Sequence, residues 1–185
     1  MGQPRVTIFA DCGSRVGVGH VMRSLALAEG LTAAGALVSW VAAVSTVPWL
    51  AEFFSRRGIK VSDPPNGSAA TLNAITDTCP SVVVVDSYLD RTQLAQDLKR
   101  RDAKLVAIAD ECTPPLPADL YVSPGIRAGW AETSASRLIG GPEHVLIRED
   151  IRALRPHVWN PRPTSSPCRI ALRLGGTDGD GAAPS

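Results

Sequence analysis

Charge of a single sign is missing from this chain of 185 residues: 19 lysines and arginines stand against 18 aspartates and glutamates, for a formal net charge of +1. That balance leaves no electrostatic footprint for nucleic acid or for an anionic membrane. Long apolar runs are missing too. None reaches the roughly 18 to 20 residues needed to span a bilayer. The N-terminus passes straight into a strand-like segment without a signal-peptide core, so a cytoplasmic location is expected. The four cysteines, Cys12, Cys79, Cys112 and Cys168, form no C-x-x-C pair, which argues against a zinc site or a redox dithiol. Free, mostly buried thiols in a reducing compartment are expected instead. The three histidines, His20, His144 and His157, also lack metal-ligand spacing. The expectation is chemistry without metal or cofactor. No internal repeat is visible.

What is present is a core-forming composition, 44% hydrophobic, arranged as short β-branched runs alternating with longer amphipathic stretches. This is the pattern of a parallel sheet covered by helices, a Rossmann-like α/β fold. Strands are predicted over residues 5–9, 36–43, 59–62, 82–85 and 104–109, with short edge strands over 120–122 and 137–139. The four valines from Val82 to Val85 read as a central strand buried on both faces. Helices are predicted over 20–34, 47–57, 69–78 and 90–101. Gly35 and Gly58 stop the first two, and Pro48 lies in the first turn of the second. A further helix begins at Arg148-Glu149-Asp150. Residues 1–156 thus form one domain. Residues 157–167 hold three prolines among polar residues, the composition of a linker. Residues 168–185 read as the first strand and glycine turn of an incomplete second domain, for which about 100 residues are normal; a truncated product or incomplete reading frame is expected.

The segment from Asp11 to His20 (DCGSRVGVGH) joins the first strand to the first helix. In an open α/β sheet, the loop at a strand's carboxyl end is where ligands dock. Gly17 and Gly19, on either side of Val18, let the backbone turn tightly and approach a ligand. The helix that follows aims free N–H groups and its positive dipole end at the same place, which favours a phosphate oxygen. His20, in the first turn, projects an imidazole that can take a proton from water or hydrogen-bond a diphosphate. Two glycines can also serve only to turn the chain. The dinucleotide fingerprint requires a further glycine where Met22 and Arg23 stand, and the P-loop requires lysine where His20 follows Gly19.

The run GVGHVMRSLALA, Gly17 to Ala28, resembles the UDP-2,4-diacetamido-2,4,6-trideoxy-β-L-altropyranose hydrolases of pseudaminic acid biosynthesis and their spore-coat polysaccharide relatives. Four more segments match in order: Val85 to Tyr88 (VDSY), Ala109 to Glu111 (ADE), Gly141 to Glu149 (GPEHVLIRE) and Leu174 to Asp178 (LGGTD). The resemblance spans nearly the whole chain. It implies a two-domain glycosyltransferase-B-like fold that binds a UDP-sugar in its cleft and hydrolyses the bond between the anomeric carbon and UDP. It also implies that His20 is the catalytic histidine, that Tyr88 lines the sugar site and that Asp11 is the aspartate after the first strand. The chain departs from the family at Phe9, where arginine is common, at His144, where tyrosine is common, and at Val122 to Gly125, where an asparagine-bearing segment is usual.

Asp86 closes the four-valine strand and is expected either to orient the substrate or His20, or to cap the next turn. Asp110 and Glu111 end the following strand and are expected either to tune His20 or hold a sugar hydroxyl, or to cap a helix or be solvated. Arg23, at i+3 from His20, shares its helix face and either neutralises a phosphate or forms a surface salt bridge. Gly175, Gly176 and Thr177 repeat the strand-to-glycine turn and would face the diphosphate across the cleft. The reading is a metal-independent hydrolase releasing UDP and free sugar. The alternatives are a glycosyltransferase of the same fold, or an inactive half-domain.

Overall fold

A computed structural model of the chain describes residues 2–13, 16–110, 116–124 and 137–155. The linker over 157–167, the segment 168–185 with Gly175, Gly176 and Thr177, and Glu111 lie outside the described residues.

Six strands, β1 (Arg5–Ala10), β2 (Leu37–Val41), β3 (Val82–Asp86), β4 (Lys104–Ile108), β5 (Leu120–Ser123) and β6 (Leu138–Gly140), form one sheet in the order β2-β1-β3-β4-β5-β6. Every pairing is parallel. Among the described residues, five α-helices accompany it: α1 (Gly19–Ala33), α2 (Pro48–Arg56), α3 (Ser68–Thr76), α4 (Thr92–Lys99) and the short α5 (Glu149–Arg152). The chain is therefore a Rossmann-like α/β fold. Among the described residues, no helix is long and apolar enough to cross a membrane.

Alternation along the strands divides the core between the two faces. Val6, Ile8 and Val84 pack with Val21 and Leu25 of α1 and Leu50 and Phe54 of α2. On the other face, Phe9, Val83 and Val85 pack with Leu72 and Ile75 of α3 and Ala95 and Leu98 of α4. Burial on both faces is what the unbroken valine run of β3 supplies. Helix ends follow the chain's punctuation. Beyond α1, Gly35 takes φ +87°, and the Gly35 and Ala36 amides donate to the Thr32 and Leu31 carbonyls at 2.9 Å each. Beyond α2, Gly58 takes φ +67° and the Ile59 amide reaches the Phe54 carbonyl at 3.1 Å. Both are left-handed stops that return orphan carbonyls to hydrogen bonding.

Three expectations are corrected. Residues 59–62 form no strand: only Ser62 bridges Val41, with Ser62 N to Trp40 O at 3.0 Å and Ala42 N to Ser62 O at 2.9 Å. Two half-buried apolar residues are too few to extend the pairing, and Pro64 and Pro65 bring no amide donors. β5 is not an edge strand, because it lies between β4 and β6. The two described thiols are less buried than expected, Cys12 being half-buried and Cys79 exposed, while Cys112 and Cys168 lie outside the described residues; Cys79 occupies the turn after α3 at φ +48°.

Strand order reverses direction between β1 and β3: from β1 the chain goes outward to β2, and later returns to β3 on β1's other side. Their carboxyl ends therefore leave a crevice, the position where ligands bind in open α/β sheets. Ala10 and Asp86 stand in register there, with Ile108 beside Asp86. Asp11, Ser87 and Asp110 follow just beyond.

Candidate functional site

The loop after β1 closes on itself, with Gly13 and Gly17 exchanging backbone hydrogen bonds of 3.2 and 2.7 Å. Gly17 takes φ +80°, a conformation that disfavours any residue with a Cβ. Val18 precedes α1 with its side chain buried in the core, so only its backbone is available to a ligand. Gly19 opens the helix and is exposed; a Cβ there would meet no atom within 4 Å. Among the described residues, no side chain caps α1 and no acidic residue occupies its first turn. No side chain among the described residues therefore offsets the positive end of its dipole.

His20, Arg23 and Ser24 share one face of α1 through i+3 and i+4 spacing, and all three converge on Asp86. The Asp86 carboxylate is wholly buried. Its Oδ1 lies 2.6 Å from His20 Nδ1 and accepts from Arg23 Nη2 at 2.5 Å. Its Oδ2 accepts from Arg23 Nε at 2.7 Å and from Ser24 Oγ at 3.0 Å. An ionised carboxylate only accepts, so Nδ1 carries the proton, and in the neutral ring Nε2 presents a lone pair. That Nε2 is buried and has no hydrogen-bond partner among the described residues. A buried polar atom left unpaired is costly, and Nε2 is the one such side-chain atom among the described residues.

The Tyr88 ring meets the imidazole edge-on at 4.3 Å between centroids, and its hydroxyl donates to Asp110 Oδ2 at 2.7 Å. Arg23 Nη1 donates to the same oxygen at 3.1 Å. Burial works against the charged Arg23 guanidinium, but hydrogen bonds and charge pairing with Asp86, then Asp110, outweigh it and hold its proton more firmly than usual. His20 is only 3% exposed and Tyr88 is 44% exposed, so the tyrosine stands between the imidazole and solvent.

Of the residues expected at the site, His20, Arg23, Asp86 and Tyr88 are brought into one cluster, and Gly17, Val18 and Gly19 lead into the helix that carries it. Asp86 orients His20 rather than capping a turn. Arg23 is no exposed surface salt bridge: its fork grips the buried Asp86 and reaches Asp110. Asp11 stands apart. Its Oδ1 accepts from Arg91 Nη2 at 2.6 Å and its Oδ2 from the Ser87 hydroxyl; its amide donates to the Asp86 carbonyl at 3.0 Å.

Ser24, Ser87 and Arg91 were not singled out in the sequence. The i+4 spacing from His20 is a signal for Ser24; none in the sequence announces the pairing of Arg91 with Asp11. A cavity of about 890 Å³ lies elsewhere, lined by Ala28, Thr32, Val38, Trp40 and Lys60 among others. Among the described residues it contains no member of the His20 cluster and no unpaired buried polar atom. Among the described residues, no group of histidine, cysteine and carboxylate side chains has the geometry to hold a metal ion.

In comparisons with known proteins, no family model matches the chain and no curated protein matches it.

Proposed function

We propose that the chain hydrolyses a UDP-linked diacetamido-trideoxyhexose at the anomeric carbon–oxygen bond, releasing UDP and the free sugar in the synthesis of pseudaminic acid or a related surface polysaccharide, in the cytoplasm. The observation that carries the reading is His20 Nε2: a buried lone pair without a partner, at the sheet's switch point, on a ring held by Asp86 at 2.6 Å. The resemblance of Gly17 to Ala28 and of Val85 to Tyr88 to nucleotide-sugar hydrolases supplies the substrate class.

In this reading a water bound at Nε2 attacks the anomeric carbon while His20 takes its proton, and the carbon–oxygen bond to UDP breaks as the new one forms. Asp86 accepts from Nδ1–H throughout and stabilises the imidazolium. The leaving diphosphate is met by the Gly17–Gly19 backbone and the uncapped start of α1, whose dipoles are already oriented. UDP is a good leaving group, so positioning the water contributes most. Tyr88 and Asp110 border the sugar, and Asp110 is suited to accept from a sugar hydroxyl.

The test is incubation with the UDP-sugar and no acceptor. Stoichiometric UDP and free sugar are expected, and His20→Asn is expected to lower the rate by about 100-fold or more, the range a general base supplies. UDP release that requires an added acceptor alcohol would identify a glycosyltransferase, and release unchanged in His20→Asn would falsify the mechanism.

A further inference from the structure

We propose that Arg23 is a positioning residue for His20 and not a ligand of the substrate's phosphates. The inference deepens the reading above, and rests on it for the role of His20 as base.

All three guanidinium nitrogens are already engaged by carboxylates. Nε and Nη2 grip the two Asp86 oxygens as a planar fork at 2.7 and 2.5 Å, and Nη1 reaches Asp110 at 3.1 Å. To bind a phosphate, Arg23 would have to leave a carboxylate that is wholly buried, and an uncompensated buried charge is strongly disfavoured. What the fork accomplishes is directional. A carboxylate gripped at both oxygens cannot rotate, so Oδ1 stays aimed at His20 Nδ1 at 2.6 Å. Nη2 itself lies 3.3 Å from Nδ1; both groups are donors converging on one oxygen, which leaves Nδ1 no alternative acceptor. The ring is thereby confined to the tautomer with its proton on Nδ1 and its lone pair on Nε2. Asp110 extends the lock outward, since the oxygen that anchors Nη1 also accepts from the Tyr88 hydroxyl at 2.7 Å. Lysine cannot replace this arrangement, because an ammonium is a point charge without a fork.

The experiment is nitrogen NMR of the chain labelled with ¹⁵N-histidine, with the His20 signals assigned by their loss in His20→Asn. In the unmodified chain, a protonated Nδ1 and a bare Nε2 are expected; a proton on Nε2 overturns the proposal without recourse to any variant. Arg23→Lys keeps the positive charge beside Asp86 and is expected to give a mixture of tautomers. Its kcat is expected to fall by about 10- to 100-fold, towards the loss of a general base, with KM and affinity for UDP or inorganic pyrophosphate within about twofold. Should Arg23→Lys not fold, Arg23→Gln, whose amide still reaches one Asp86 oxygen, is read the same way. A single unchanged tautomer with KM raised and pyrophosphate binding lost would make Arg23 a phosphate ligand instead. The spectra require no turnover, so they stand even if the chain releases no UDP.

Discussion

Gly19 shows how a single missing Cβ separates folding from binding. It begins α1, is exposed, and has open space where a methyl group would go. Among the described residues, nothing packs where a Cβ would go. Gly19→Ala is therefore expected to hold or raise the melting temperature, by up to about 1 kcal/mol of helix propensity, yet to weaken UDP binding by about tenfold, because the methyl occupies the space a diphosphate needs. Calorimetric titration beside thermal melts checks both, and unaltered UDP affinity would remove the glycine rim from the site. Cys12, in the same loop, carries a thiol pushed up by burial, with the Asp63 and Asp11 carboxylates adding to the effect. A raised thiol has less thiolate at a given pH, and the thiolate is the nucleophile. Iodoacetamide at pH 8 is thus expected to label exposed Cys79 well before Cys12, with Cys12 labelling rising as pH increases; peptide mass spectrometry reads each site. Faster labelling of Cys12 would mean that the loop opens more than its half-buried thiol implies.

Two glycines at and just beyond the C-terminal end of α1 carry opposite signs. Gly30 lies in the helix, exposed, with no atom within 4 Å of a would-be Cβ. Gly30→Ala is expected to stabilise by about 0.5–1 kcal/mol, since glycine loses more backbone freedom than alanine on folding. Gly35 has equally open space but φ +87°, and Gly35→Ala is expected to destabilise by about 1–2 kcal/mol, the left-handed penalty of an L-residue. Urea midpoints with an unchanged m-value measure both. Equal signs would mean that side-chain space, and not backbone conformation, controls this helix end. The helix is legible in the sequence for the same reason, as apolar spacing and a glycine stop act within a few residues. Ile59 to Ser62 misleads because a strand of that length needs a neighbour along its whole extent, and only Ser62 reaches β2.

Across the molecule, Asp86 works as a clasp between the end of β3 and one face of α1, holding His20, Arg23 and Ser24 together. Asp86→Ala leaves the Arg23 and His20 donors without their shared acceptor and is expected to cost about 3–5 kcal/mol, the range for breaking a buried ion pair. Asp86→Asn keeps the shape and one carbonyl acceptor and is expected to cost less. Urea unfolding of the two variants tests this. A loss below about 1 kcal/mol in Asp86→Ala would place the network in the screened, surface class.

Local physics made much of this protein readable from its residues: the strand and helix periods, the glycine stops at 35 and 58, the loop after the first strand, and the shared helix face of His20 and Arg23. Each depends on backbone geometry within one or two turns. The partners of those side chains were another matter. Asp86 lies 66 residues from His20 and 63 from Arg23, and whether it faced the imidazole or the next turn depended on β3 lying beside β1. The interior place of β5, the pairing of Asp11 with Arg91, and the enclosure of Nε2 beside Tyr88 depend likewise on strand order. That order is chosen by burial of both sheet faces at once, a balance among distant segments that no local pattern encodes.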